Sequence, residues 1–225
     1  MLFLFLHLFM AFAAPTVPQS FQNLHDIPVA NGFAHIYVDK SKARIINKPV
    51  SDNSSDDVLV CELLIDNQRL RLIYSTGDSD DSTFIFTSAE GKEIGRFNGT
   101  ELYMPSGANI YISGWSNTMF NERRKYTFKD GIFVEIKQPY KYVGLKTTVK
   151  RPEFSTDSTP VIVTLYSDTS KSQSVAKLPE GSEIEVLLAD GETWFLVRTS
   201  FGLLGWVEVP MGAMSTAIGV QFAGD

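Results

Sequence analysis

Arg123 to Lys137 reads RRKYTFKDGIFVEIK, and the Asp130-Gly131 pair at its centre decides the fold class. A type I′ turn needs positive φ at both central positions, and Asp followed by Gly meets that need at low steric cost. The flanks, Tyr126-Thr127-Phe128 and Ile132-Phe133-Val134, carry aromatic and β-branched side chains that suit a pleated surface. The stretch predicts a β-hairpin.

Moving outward, the same punctuation recurs. Cys61 to Ile65 and Leu70 to Tyr74 flank Asp66-Asn67-Gln68, EIGRF and TELYM flank Asn98-Gly99, and Glu90-Gly91 marks a further bend. With HIYVD from His35 and ANIYISGW from Ala108, these segments predict about ten strands between residues 35 and 148 and almost no helical periodicity. The expected fold class is all-β: an N-terminal antiparallel meander, closed as a barrel or folded as a sandwich, followed by a smaller C-terminal unit.

The ends and the joints divide the chain further. Residues 2–13, LFLFLHLFMAFA, are apolar apart from His7 and end in Ala11-Phe12-Ala13, the small-residue pattern a signal peptidase reads. About 12 apolar residues are too short to span roughly 30 Å of hydrocarbon as a helix. Residues 1–13 are therefore expected to be a signal peptide, with the mature chain exported to the periplasm or the extracellular space. Residues 14–34 contain three prolines and no periodicity, and are expected to form an extended lead-in. The hairpin domain is assigned to 35–150, a Pro- and Ser/Thr-rich linker to 151–159, a compact module to 160–209 and a small-residue tail to 210–225.

The module at 160–209 has the most regular spacing. Leu165-Tyr166-Ser167-Asp168 leads into a polar loop, Val175-Ala176-Lys177-Leu178 runs into the turn Pro179-Glu180-Gly181, and Ile184, Val186 and Leu188 alternate up to Ala189-Asp190-Gly191. Trp194 to Thr199 and the closing Gly205-Trp206-Val207 follow. In order and spacing this set resembles the bacterial SH3 (SH3b) family. The resemblance implies an SH3-like barrel that catalyses nothing and recognises a cell-wall peptide or another envelope protein. Tyr166, Trp194 and Trp206 fall on three strands or strand ends, where flat rings can line a groove. Asp168 or Glu192 would offer a carboxylate to a ligand ammonium.

Charge and chemistry narrow the function classes. A net charge of −6 disfavours nucleic acid and other polyanions as partners. The 123–151 stretch holds nine basic and two acidic side chains and 152–225 holds three and ten, so an electrostatic contact between the two is expected. Cys61 lies in the apolar run VLVCELLID, where a thiol packs as a small hydrophobe and lacks the helix terminus and neighbouring base of an activated nucleophile. Beyond the leader only His25 and His35 are available, no G-x-S-x-G turn occurs, and no His/Cys spacing suits zinc. The acidic runs around Asp52, Asp56 and Asp57 and around Asp78, Asp80 and Asp81 lack the Ca²⁺-loop pattern and read as solvated turns. No metal or cofactor is expected. The leading expectation is a non-catalytic envelope binding or adaptor protein. A carboxylate-dependent enzyme with its site in 35–150, and a structural or inhibitory partner protein, remain the other two readings.

Overall fold

The computed structural model describes residues 17–50, 57–76, 81–153 and 155–223. Its strands, in chain order, are β1 (His25–Val29), β2 (Ala34–Val38), β3 (Ala43–Pro49), β4 (Val58–Ile65), β5 (Gln68–Ser75), β6 (Thr83–Ser88), β7 (Glu93–Asn98), β8 (Glu101–Met104) and β9 (Asn109–Gly114). They continue as β10 (Glu122–Lys129), β11 (Ile132–Glu135), β12 (Lys141–Thr148), β13 (Ile162–Tyr166), β14 (Ser174–Pro179), β15 (Glu183–Asp190), β16 (Trp194–Thr199) and β17 (Leu204–Glu208). The protein is all-β. Among the described residues no helix is long and apolar enough to cross a membrane.

Three open sheets result, in the orders β1-β2-β8-β9-β10-β11, β3-β4-β5-β6-β7 and β12-β15-β16-β17-β13-β14. The first two enclose one core, in which Ile36, Leu102 and Ile112 of the first sheet join Leu72, Phe84 and Phe86 of the second. This is the sandwich alternative, since neither sheet closes on itself. Phe133 on β11 inserts into the open side, with its ring centroid 4.7 Å from Phe86 and 5.4 Å from Phe97.

Several sequence expectations need correction. The meander is not wholly antiparallel, because β2 and β8 run parallel with His35 opposite Glu101 and Val38 opposite Met104. The whole second sheet is the crossover between them, long enough to bring β8 back in the same direction. Asp66-Asn67 and Asp130-Gly131 do adopt positive φ and close their hairpins. Asn98-Gly99 does not make a hairpin. There the chain passes from β7 in the second sheet to β8 in the first, and Gly99 serves close approach: a Cβ on it would lie 2.6 Å from Ile112 Cγ2.

The lead-in also contains structure. β1 pairs with β2 at the sheet edge and buries Ile27 and Val29 while Asp26 and Pro28 face outward. Proline is tolerated there because an edge strand need not donate on its outer side. The proposed leader, residues 1–13, lies outside the described residues, as do Asp52, Asp56, Asp78 and Asp80.

Downstream, β12 pairs with β15 along Lys141 to Thr148 and so belongs to the third sheet, although the sequence grouped it with 35–150. The third sheet is open rather than a closed barrel, because β12 occupies the β15 edge and no ladder joins β12 to β14. Residues 210–223 of the tail form no regular strand, yet they are packed. Ile218 and Val220 are buried with Met119 and Phe120 in the core of the third sheet, and Ala223 bridges to Thr118.

This wedge joins the halves. Phe120 meets Phe195 edge-on at 5.9 Å, the Gln221 N–H donates to the Met119 carbonyl at 3.2 Å, and Lys141 on β12 pairs with the buried Glu122 on β10. The basic 123–151 stretch does meet the acidic module, through the β12–β15 ladder, but among the described residues no ion pair links the two. Apolar packing around Phe120 and Ile218 joins the halves, together with the Lys141–Glu122 ion pair.

Candidate functional site

Alternation along three neighbouring strands builds an aromatic face. Val163 and Leu165, Phe195 and Val197, and Val207 and Val209 point into the core of the third sheet. The intervening Tyr166, Trp194, Leu196 and Trp206 are half-buried on the opposite side. Register places Tyr166 opposite Trp206, Trp206 opposite Leu196, and Trp194 opposite Glu208. Gly205 permits this spacing, since a Cβ there would lie 2.7 Å from Leu165 Cβ. The three aromatic residues expected from the sequence thus share one face. Tyr140, from the segment before β12, adds a fourth ring 6.0 Å from that of Trp206.

A cation already sits on this face. The Lys171 ammonium lies 5.7 Å from the Trp194 ring centroid and 6.0 Å from that of Tyr166, within the range of cation–π attraction. It also donates to Glu208 Oε2 at 2.5 Å, and this hydrogen bond raises the lysine pKa above its ordinary value. A groove of about 460 Å³ opens beside Tyr166, Lys171 and Glu208 and is bounded on its far side by Pro210 and Ala213 of the tail.

Asp168 has a different position. Its Oδ1 accepts from the Ser170 N–H at 2.9 Å and the Ser170 hydroxyl at 2.5 Å, and its Oδ2 accepts from Ser167 Oγ at 3.1 Å and from Ser172 Oγ. The hydroxyls of Ser170 and Ser172, followed by the Ser172 N–H, hold its pKa well below the usual carboxylate range. The carboxylate therefore organises the loop that turns through Lys171, whose φ is +59°. Asp168 is thus engaged by hydrogen bonds within its own loop, while Glu192 is exposed in the β15–β16 turn.

Glu208 was discoverable from the sequence, because it lies two residues beyond Trp206 and therefore on the same face. Lys171 and Tyr140 carried no such signal, since their placement depends on a loop and on a strand connection.

Elsewhere, candidate chemical groups have structural work. Cys61 is buried on β4, and burial pushes its thiol pKa up to about 12. Asp81 accepts from Ser116 Oγ at 2.5 Å and Asn117 Nδ2 at 3.0 Å, tying two loops together. His35 Nδ1 lies 3.0 Å from both carboxylate oxygens of Asp26 at the edge of the first sheet. Among the described residues no group of three His, Cys, Asp or Glu side chains is placed to hold a metal ion.

No protein-family model matches the chain, and neither a curated protein nor a solved structure matches it.

Proposed function

We propose that this chain is a non-catalytic binding or adaptor protein of the bacterial cell envelope, whose SH3b-like third sheet recognises a cell-wall peptide or a partner protein. The observation that carries the reading is the gathering of Tyr166, Trp194 and Trp206 on one face, with the Lys171 ammonium over two of the rings. Flat aromatic side chains give contact area at low entropic cost, and their π faces favour cations. Lys171 and Glu208 neutralise each other, so a ligand ammonium can take the place of the lysine and keep the carboxylate paired. The resemblance to envelope SH3b modules and the leader-like residues 1–13 support export and a wall-facing role.

The test is titration of the full chain with soluble peptidoglycan fragments that carry a free amine, followed by tryptophan fluorescence. Saturable binding that is lost in Trp206→Ala and Tyr166→Ala, with thermal unfolding retained, supports the reading. Binding unchanged in both folded variants overturns the assigned face, and no saturable binding to wall fragments rejects that ligand class.

A further inference from the structure

The outward face of the first sheet is built differently. β2, β8, β9 and β10 place Tyr37, Tyr103, Tyr111 and Lys125 in successive register across it. The lead-in crosses this row through the 3-10 turn Gln19–Phe21, whose last ring stacks on Tyr103 at 4.7 Å and tilts against Tyr111 at 5.1 Å. Between the lead-in and the β10–β11 side of the sheet lies a cleft of about 510 Å³ with Phe21, Tyr111 and Ile136 among its walls. Ile136 is 45% exposed, so this apolar wall is open to a ligand.

The polar groups of the cleft are unbalanced. Arg123 and Lys125 border it, and among the described residues neither has a carboxylate within ion-pair distance. Instead the Arg123 guanidinium lies 5.4 Å from the Tyr142 ring centroid and the Lys125 ammonium 5.7 Å from that of Tyr111. Arg124 alternates onto the core side of β10, opposite Ile112, where its Nη2 donates to the Asn98 carbonyl, so Arg123 and Lys125 are the two bases that face the cleft. Other polar groups are committed locally: Gln138 Nε2 donates to the Arg123 carbonyl at 3.0 Å, and Ser113 Oγ donates to Asn121 Oδ1 at 3.0 Å. Glu101 is the one acid of the lining, and it lies beside the Tyr103 phenol. In a chain of net charge −6, composition alone does not place two bases without ion-pair partners in a cleft with one acid.

We infer that this cleft is a second binding site, for a small amphipathic anion whose apolar body packs against Phe21, Tyr111 and Ile136 while its carboxylate or phosphate is held by Arg123 and Lys125. A cleft of this size suits a small molecule and has the form of ordinary ligand sites, apolar walls with a few placed polar groups. The anion completes the charge balance that the chain leaves open, and guanidinium and ammonium groups serve carboxylate and phosphate alike. This site shares no residue with the third-sheet face, so it stands or falls independently of the proposed wall recognition.

The experiment is calorimetric titration of the full chain with decanoate, decyl phosphate, decylammonium and decyl maltoside, each kept below its micelle-forming concentration. One saturable site is expected for decanoate, decyl phosphate or both, and the preferred headgroup identifies which anion the cleft takes. Decylammonium and decyl maltoside are expected to bind at least about tenfold more weakly, the scale of one lost charge-assisted contact. The Arg123→Gln/Lys125→Gln double variant is expected to lose about tenfold or more in affinity. Lys129→Gln removes an exposed charge from the same strand outside the cleft and is expected to bind as the parent does. Equal binding of the cation or the neutral detergent, an unchanged affinity in a folded double variant, or no saturable binding of either anion would each overturn the inference.

Discussion

The two aromatic faces differ in how their cations are balanced. On the third sheet Lys171 lies over Trp194 and Tyr166 and is already paired with Glu208. On the first sheet Arg123 and Lys125 also lie over tyrosine rings but have no ion-pair partner among the described residues. Under the two proposals, similar aromatic surfaces would select opposite ligands: exchange of one ammonium for another at the first, and recruitment of an anion at the second. The contrast also bears on the part the two faces play in one molecule, since the Phe120 wedge couples the sheets that carry them.

The strongest attack on the comparison is to separate the sheets. Phe120 is buried and packs edge-on against Phe195, so Phe120→Ala is expected to cost about 3–5 kcal/mol. Urea unfolding measures this, and a cost below about 1 kcal/mol would show that the wedge contributes little to joining the halves.

A smaller loss is expected from Gly114→Ala, since its Cβ would lie 2.4 Å from Gly99 Cα, where the chain changes sheets beside the first face. Overpacking of this kind costs about 1–3 kcal/mol. A stable variant with unchanged decanoate binding would show that the sheet crossing has more room than its backbone indicates.

The second sheet carries neither face and supplies a reference through Cys61. Its folded pKa of about 12 stands above the ordinary 9.0, so the unfolded chain releases this proton at lower pH than the native one. The contribution to stability is complete below about pH 9 and falls as pH rises toward 12. Cys61→Ala should lose less stability than the parent across that window in pH-dependent urea unfolding. Rapid alkylation of the native thiol at pH 8 would contradict the burial on which this depends.

The smallest effect on the fold is expected at Lys171, whose pair with Glu208 is exposed. Lys171→Met should leave the thermal midpoint unchanged while altering Trp194 fluorescence, because the ammonium leaves the ring. An unchanged emission spectrum would remove the cation–π contact from the account.

Legibility in the sequence follows the same division. The third-sheet face was visible because strands β13 to β17 are consecutive in sequence and their turns fix the alternation of Tyr166, Trp194 and Trp206. The first-sheet cleft was not visible, because Phe21, Tyr111, Arg123 and Ile136 come from the lead-in and from three separate strand regions brought together by tertiary pairing. In HIYVD, Tyr37 sits between Ile36 and Val38, and a run without polar alternation hides which side faces out. Asp130-Gly131 and Asp66-Asn67 identified their turns because positive φ was the governing need. Asn98-Gly99 misled because the glycine there answers crowding instead. The chain passes from the first sheet to the third between β11 and β12, near Gln138-Pro139, ahead of the conspicuous prolines at 152 and 160 on which the sequence reading placed its linker.

Nuclear magnetic resonance of the tryptophan indoles tests the central claim most directly, that the third-sheet face is the recognition surface. Trp115 is an internal reference, since its Nε1 donates to the Thr118 carbonyl at 2.9 Å and lies outside the proposed face. On titration with an amine-bearing peptidoglycan fragment, the account predicts that the Trp194 and Trp206 indole signals shift together along one binding curve while that of Trp115 stays fixed. Saturable binding that leaves both Trp194 and Trp206 unmoved would contradict it.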